Sequence, residues 1–142
     1  MNDTAAVRLD PDGPHSPDYT RAVADTLRES VRVLNHATLP ASGYPGLTYP
    51  ADVYDVLGAL DSGAQGLSQL ALHLSEYLAR EMQAGRIAVT YGNYEGDPLG
   101  AVSVAVNALT AAGAAAEQLQ AALSRAHEAT SAMSAADVEG GE

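Results

Sequence analysis

The chain has 142 residues, a formal net charge of −11 from 18 acidic and 7 basic residues, and no cysteine, tryptophan or phenylalanine. Its length is that of one domain, and the lack of cysteine excludes disulfides and cysteine-based zinc sites or nucleophiles. The negative charge disfavours direct binding to nucleic acid or to an anionic membrane, and the absence of 18 uninterrupted apolar residues argues against a membrane span.

The first predicted element is an amphipathic helix that begins at Ser16 and ends near Asn35–His36. Pro17 suits the first helical position because its missing N–H would be unpaired there, and Asp18 complements the helix dipole. The apolar residues recur at helical spacing: Tyr19, Val23, Leu27, Val31 and Leu34. Residues 1–15 contain Pro11, Gly13 and Pro14 and are expected to form a disordered arm.

A linker rich in proline and glycine, residues 38–49, precedes a second helix with Pro50 at its first position and Gly85 as its C-cap. Its apolar residues follow a heptad in two columns. One column holds Val53, Leu60, Leu67 and Leu74, and the other holds Leu57, Ala64, Ala71 and Leu78. This pattern favours near-parallel packing against a neighbouring helix. The glycines in and around residues 61–63 predict a bend or break there.

Residues 86–97 form a connector in which the alternation over residues 87–91 is compatible with a short strand. Asp97 as cap and Pro98 as first residue then open a third helix. Its apolar stripe comprises Leu99, Val102, Val106, Leu109, Gly113 and Ala116, and resumes out of phase at Leu119, Leu123, Ala126, Thr130 and Met133. The shift predicts a change of supercoil near Ala116. Residues 135–142 read as an acidic tail.

These elements predict an all-α fold: a long antiparallel helical hairpin plus a shorter N-terminal helix, in a three-helix up-down bundle over residues 16–134. The first helix, about 30 Å long, should cover residues 50–70 and 113–133 of hairpin helices that are each about 50 Å long. The distal half of the hairpin would then expose apolar residues, as a partner-binding surface does. The candidate interface residues are Leu70, Leu74, Tyr77, Leu78, Met82, Leu99, Val102, Val106 and Leu109. Alternatively, the first helix, the linker or the connector folds over this patch.

No sequence motif predicts catalysis or a bound cofactor. None of the glutamates is followed three residues later by histidine, so the Glu-x-x-His pairs of helical dimetal sites are missing. There is no Gly-x-Ser-x-Gly elbow, and the segment GNYEG lacks the Gly-Lys-Ser/Thr of a phosphate loop. We therefore expect no enzyme activity, no cofactor and no metal site.

Two stretches carry a resemblance to known proteins. YPADVYDVLGALDSGAQGLSQLALHLSEYL and ALSRAHEATSAM resemble small helical proteins of high-GC actinobacteria that are associated with conjugative or integrative elements. This resemblance implies a helical fold and no particular activity. The hairpin is also similar in outline to WXG100-type secretion substrates, although this chain has no tryptophan, carries GNYEGDP as its connector and has an extra helix before the hairpin.

Together these features predict a non-enzymatic, cytoplasmic interaction or scaffolding protein that forms a homodimer or binds another helical protein. One alternative is an acidic inhibitor or antitoxin-like partner of a basic protein, because charge complementarity would then drive binding. The other is a WXG100-like helical hairpin that is secreted without a signal peptide.

Overall fold

The computed structural model describes residues 6–137. The elements are α1 (Pro17–Ala37), a short 3-10 helix (Pro40–Ser42), α2 (Pro50–Gln83) and α3 (Pro98–Thr130). The all-α prediction is confirmed. No strand occurs among residues 6–137, so the short strand considered for residues 87–91 is wrong.

The chain divides into two compact units, Met1–Thr48 and Tyr49–Glu142. The boundary falls inside the single helical domain predicted for residues 16–134. The predicted covering of hairpin residues 50–70 and 113–133 by α1 stays a prediction. Each unit is described by itself below.

The first unit consists of α1 and the segments that flank it. The Ser16 hydroxyl caps the helix by accepting a hydrogen bond from the Tyr19 backbone N–H at 3.1 Å, as its sequence predicted. The Tyr19 hydroxyl donates to the Arg8 carbonyl at 2.7 Å and accepts from the Asp10 N–H at 2.9 Å. The described part of the predicted arm, residues 6–15, is therefore tied to α1, while residues 1–5 lie outside the described range.

Both ends of α2 lie where the sequence places them. The Asp52 carboxylate accepts a hydrogen bond from the Tyr49 N–H at 2.7 Å, which satisfies a backbone donor at the start of the helix. Gly85 has a φ of +67°, and the Arg86 N–H donates to the Glu81 carbonyl at 3.0 Å. This geometry is a Schellman C-cap, in which glycine is favoured because it adopts the left-handed conformation without strain.

Of the bend or break predicted near residues 61–63, the break is wrong, because α2 is one continuous helix of 34 residues, and the bend stays a prediction. Glycine costs about 1 kcal/mol relative to alanine at each interior helix position. That cost does not interrupt the helix, since packing of one face against a neighbour supplies most of the stability of a helix in a protein. Here the neighbour is α3, which packs along α2.

The two long helices run antiparallel and meet along a line of residues that we call the seam. On α2 the seam comprises Tyr54, Leu57, Asp61, Ala64, Ser68, Ala71, Ser75, Leu78 and Met82, which alternate in steps of three and four. Ala64, Ala71 and Ser75 are buried on this side, as is Val102 on α3. The predicted heptad is therefore correct in its period, but only one of its two apolar columns faces the partner helix.

The second predicted column, Val53, Leu60, Leu67 and Leu74, lies outside the seam. Its place is taken by Tyr54, Asp61, Ser68 and Ser75, each one residue further along the chain. Small side chains let two helix backbones approach closely, whereas leucine at both columns would hold them apart. At Gly113 a β-carbon would lie only 3.8 Å from the Ala71 β-carbon, which illustrates how close the helices come.

Polar pairs continue the seam towards the open end of the hairpin. The Gln120 amide donates to the Asp61 carboxylate at 2.7 Å. The Tyr54 and His127 rings stack with their centroids 4.0 Å apart. Gln120 and His127 keep the seam of α3 in phase, so the change of supercoil predicted near Ala116 is not needed to explain which residues face α2. Leu119, which the sequence placed in the stripe, lies outside it.

Candidate interaction surface

A row of large apolar side chains runs along the outside of α2. We call it the leucine ridge, and it comprises Val53, Val56, Leu60, Leu67, Leu70, Leu74 and Tyr77. Leu67 is 39% exposed, Leu74 is 47% exposed and Tyr77 is 56% exposed. These residues recur in steps of three and four, with one step of seven across Gly63, so they form one stripe along α2 and not scattered exposed residues.

The positions of the residues that line a groove show on which side of the hairpin the ridge lies. That groove is lined by Gln65 and Leu72 of α2 and by Thr110 and Glu117 of α3. Each of these four residues follows a seam residue by one position. Residues that precede seam positions by one therefore emerge on the opposite side of the hairpin on both helices. All seven ridge residues satisfy this condition on α2.

The α3 positions that precede a seam residue by one are almost all alanine. We call them the alanine shelf, and it comprises Ala101, Ala105, Ala108, Ala112, Ala115, Leu119, Ala122 and Ala126. Leu119 is the one large member and is 49% exposed. The ridge and the shelf lie side by side on the same face of the hairpin, and neither contains a charged residue. This uncharged face is the candidate interaction surface.

The opposite face of the hairpin carries several acidic residues. It holds the amides of Gln65 and Gln69, and the Ser68 hydroxyl donates to the Glu117 carboxylate at 3.3 Å. Asp55 and Glu76 of α2 each follow a seam residue by one position, so they lie on this side as well. Leu72 is also exposed here, whereas Glu81, which precedes Met82 of the seam, lies on the ridge side beyond Tyr77.

The nine candidate interface residues divide between the ridge and the seam. Leu70, Leu74 and Tyr77 belong to the ridge and are exposed, and Leu99 is exposed in the first turn of α3. Val102 is buried within the hairpin, so it is not part of an exposed surface. The remaining four are half-buried along the seam: Leu78, Met82, Val106 and Leu109.

Sequence reasoning missed the proximal ridge and the entire shelf. Val53, Leu60 and Leu67 were assigned to the helix–helix contact because their hydrophobicity suggested burial. The signal that could have separated the two columns is side-chain size, since Ala64 and Ala71 are the residues that permit close approach. The shelf alanines gave no hydrophobic stripe of their own because α3 is rich in alanine on every side.

The strongest electrostatic interactions among the described residues are surface ion pairs. Within residues 6–137, no group of three histidine, aspartate or glutamate side chains is placed to hold a metal ion. The pKa of the Glu81 carboxyl is held below its ordinary value of 4.5 by hydrogen bonds from Arg86, at 2.8 Å from Nε and 2.7 Å from Nη2. In α1 the Arg32 guanidinium lowers the pKa of Glu29 in the same way. Both are surface ion pairs at helix ends or faces.

Helix α3 is long and apolar enough to cross a membrane by length and composition, with a mean hydropathy of 1.6 over an 18-residue window. One such helix among the residues described is weak evidence for a span, because core helices of soluble proteins pass the same test. Its hydropathy arises from the valines and leucines of its first half together with its many alanines.

Comparison of the chain with models of protein families, with curated proteins and with solved structures finds no significant match.

Proposed function

We propose that this chain is a non-enzymatic interaction or scaffolding protein that binds other protein chains through the uncharged face of its hairpin and associates with itself there. The observation that carries the proposal is the leucine ridge, which faces solvent although it holds four of the seven leucines of α2. Contiguous exposed apolar surface on a soluble protein usually marks a site of contact with a partner.

Helix α2 contains more leucine than its contact with α3 requires. The seam is closed by Ala64, Ala71 and Ser75, so removing the ridge leucines would leave most of the α2–α3 contact in place. A distal site was expected from the sequence, over residues 70–85 and 98–112. The ridge extends the proposed surface to Val53, along most of the hairpin.

Two leucine-to-glutamate variants on the same helix test the proposal. Leu74 lies in the ridge, and Leu72 is similarly exposed on the groove side. We expect the wild type and Leu72→Glu to sediment above the monomer mass at high concentration, because both keep the ridge intact. Leu74→Glu should sediment as a monomer while retaining its helical circular dichroism. A wild type that remains monomeric at every concentration, or equal behaviour of the two variants, would contradict self-association through this face.

A further inference from the structure

The uncharged face is complementary in shape to itself. The ridge projects from α2, and the shelf beside it on α3 is low because seven of its eight residues are alanine. We propose that a second copy of this chain covers the face about a two-fold axis running along the hairpin, so that the ridge of each copy lies on the shelf of the other. This inference rests on the proposed function, because it names the partner and the docking mode of the same face.

A two-fold axis along the hairpin exchanges the two sides of the face and keeps every residue at its own height. Helix α2 of each copy then lies over α3 of the other, and all neighbouring helices in the resulting four-helix bundle run antiparallel. Large side chains meet small ones at both contacts, which allows the layers to interdigitate at an even spacing. An axis across the hairpin would instead set ridge on ridge and leave shelf facing shelf.

The one large residue of the shelf has a matching gap in the ridge. Gln120 is hydrogen-bonded to Asp61, so Leu119 beside it lies near the height of Gly63. Gly63 occupies a ridge position between Leu60 and Leu67, and no atom lies within 4 Å of where its β-carbon would be. Because the proposed axis preserves height, Leu119 of each copy would enter the gap that Gly63 leaves in the ridge of its partner.

The size of the face agrees with a dimer contact. The ridge spans 24 residue steps, or about 36 Å at 1.5 Å per residue, and two adjacent helices are about 20 Å wide. The resulting footprint is on the order of 700 Å² per copy, close to the roughly 800 Å² that each partner contributes to a typical stable interface.

Charge also favours this face over the groove side as the contact between two copies. Two chains that each carry a net charge of −11 repel each other unless their acidic residues point apart. Asp55, Glu76 and Glu117 lie on the groove side, away from the ridge and the shelf. A dimer formed through the uncharged face would keep these carboxylates in solvent.

Charge-swapped mixtures test the arrangement. Gly113 lies level with Ala71, so Leu74, three residues further along α2, lies level with a point on α3 between Ala108 and Ala112. Leu74→Arg and Ala108→Glu should each be monomeric by light scattering, because each homodimer would bury two unpaired charges. An equimolar mixture should return to the dimer mass. It would contain one unchanged ridge–shelf contact and one in which the new arginine meets the new glutamate.

A second mixture separates the two possible axes. Leu74→Arg mixed with Leu60→Glu changes only ridges, so the ridge-on-shelf dimer predicts that both proteins remain monomeric. Restoration of the dimer in this mixture, and not in the first, would replace the proposed axis with one that sets ridge on ridge. A monomeric wild type would instead remove the self-association on which the inference rests, so the two failures are distinguishable.

Filling the gap supplies an independent measurement. Gly63→Leu should raise the dimer dissociation constant at least tenfold, because the added side chain would collide with Leu119 of the partner. Gly66→Leu is the matched control, since Gly66 also has open space at its β-carbon but lies outside the ridge. Equal dissociation constants for the two variants would overturn the proposed fit of Leu119 against Gly63.

Discussion

The two sides of α2 differ in a way that reverses the usual expectation for a helix in a protein. The side that faces α3 is lined with alanine and serine and is closely packed, with Ala64 only 3% exposed. The side chains of the leucine ridge, on the other side, are larger and more apolar, and they are in contact with solvent. This difference teaches that hydrophobicity and burial are separate properties here, because closeness of approach selects the residues of the seam.

The largest expected effect is on thermal stability and comes from placing a leucine in the seam. Ala71→Leu would insert a large side chain opposite Gly113, and overpacking of this kind costs about 1–3 kcal/mol. We expect the thermal midpoint to fall by several degrees for each kcal/mol, as is typical of a domain this size. Ala59→Leu makes the same chemical change at an exposed position of α2 outside both the seam and the ridge, and it should leave the midpoint nearly unchanged. Equal losses in the two variants would mean that the seam is no tighter than the surface.

A somewhat smaller effect is expected from the polar pair in the seam. Asp61→Ala removes the acceptor of the Gln120 amide and should lower the free energy of unfolding by about 1 kcal/mol. Because the loss includes an amide left without its partner, the double variant Asp61→Ala, Gln120→Ala should cost less than the sum of the two single changes. Urea unfolding of the wild type, the two single variants and the double variant gives the coupling energy of the pair. Strict additivity of the free energies of unfolding would show that the two side chains do not stabilise each other.

Glycine-to-alanine changes sharpen the comparison with an opposite sign. Gly66→Ala should stabilise the protein by about 0.4–1 kcal/mol, because alanine restricts the unfolded chain and its β-carbon meets no atom within 4 Å. At Gly58, which lies beside the seam, the β-carbon would lie 3.0 Å from His127 Nε2. Gly58→Ala should therefore gain less than Gly66→Ala in the same thermal denaturation measurement. A larger gain at Gly58 would show that the seam has room there.

The smallest expected effect concerns the ion pair between Glu81 and Arg86 at the end of α2. Because the pKa of Glu81 is lowered in the folded protein, its ion pair with Arg86 stabilises the fold above the ordinary glutamate pKa of 4.5, and this contribution is lost as the pH falls through the folded-state pKa. Glu81→Gln should therefore melt slightly below the wild type at neutral pH and level with it in acid. A difference that persists unchanged in acid would show that the effect does not come from the charge of Glu81.

The helix boundaries could be predicted from the sequence because their signals are local. Ser16, Tyr49 to Asp52, Gly85 and Asp97 fix the helix ends through hydrogen bonds or dihedral angles that involve only nearby residues. The heptad period of α2 was equally readable. The choice between its two candidate columns was not, since it depends on how closely α3 approaches, and hydropathy alone favours leucine over Ser68 or Asp61.

The candidate surface was predictable only in its distal part. Leu70, Leu74 and Tyr77 were identified as an unpaired patch, but Val102 was assigned to the same patch although it is buried against α2. The proximal ridge was missed because Val53, Leu60 and Leu67 were expected to face a neighbouring helix. Which alanines of α3 form a shelf became visible only once Gln120 and His127 were seen to belong to the seam.

The narrow, small-residue seam has a consequence for how the folded state is maintained. Among the residues described, only Ala64, Ala71 and Val102 are buried apolar residues, so one hairpin removes little apolar area from water. Association through the ridge would add to that area, and the folded population would then obey mass action. Cellular abundance would set the folded fraction of such a protein, and dilution alone would act on it as a denaturant.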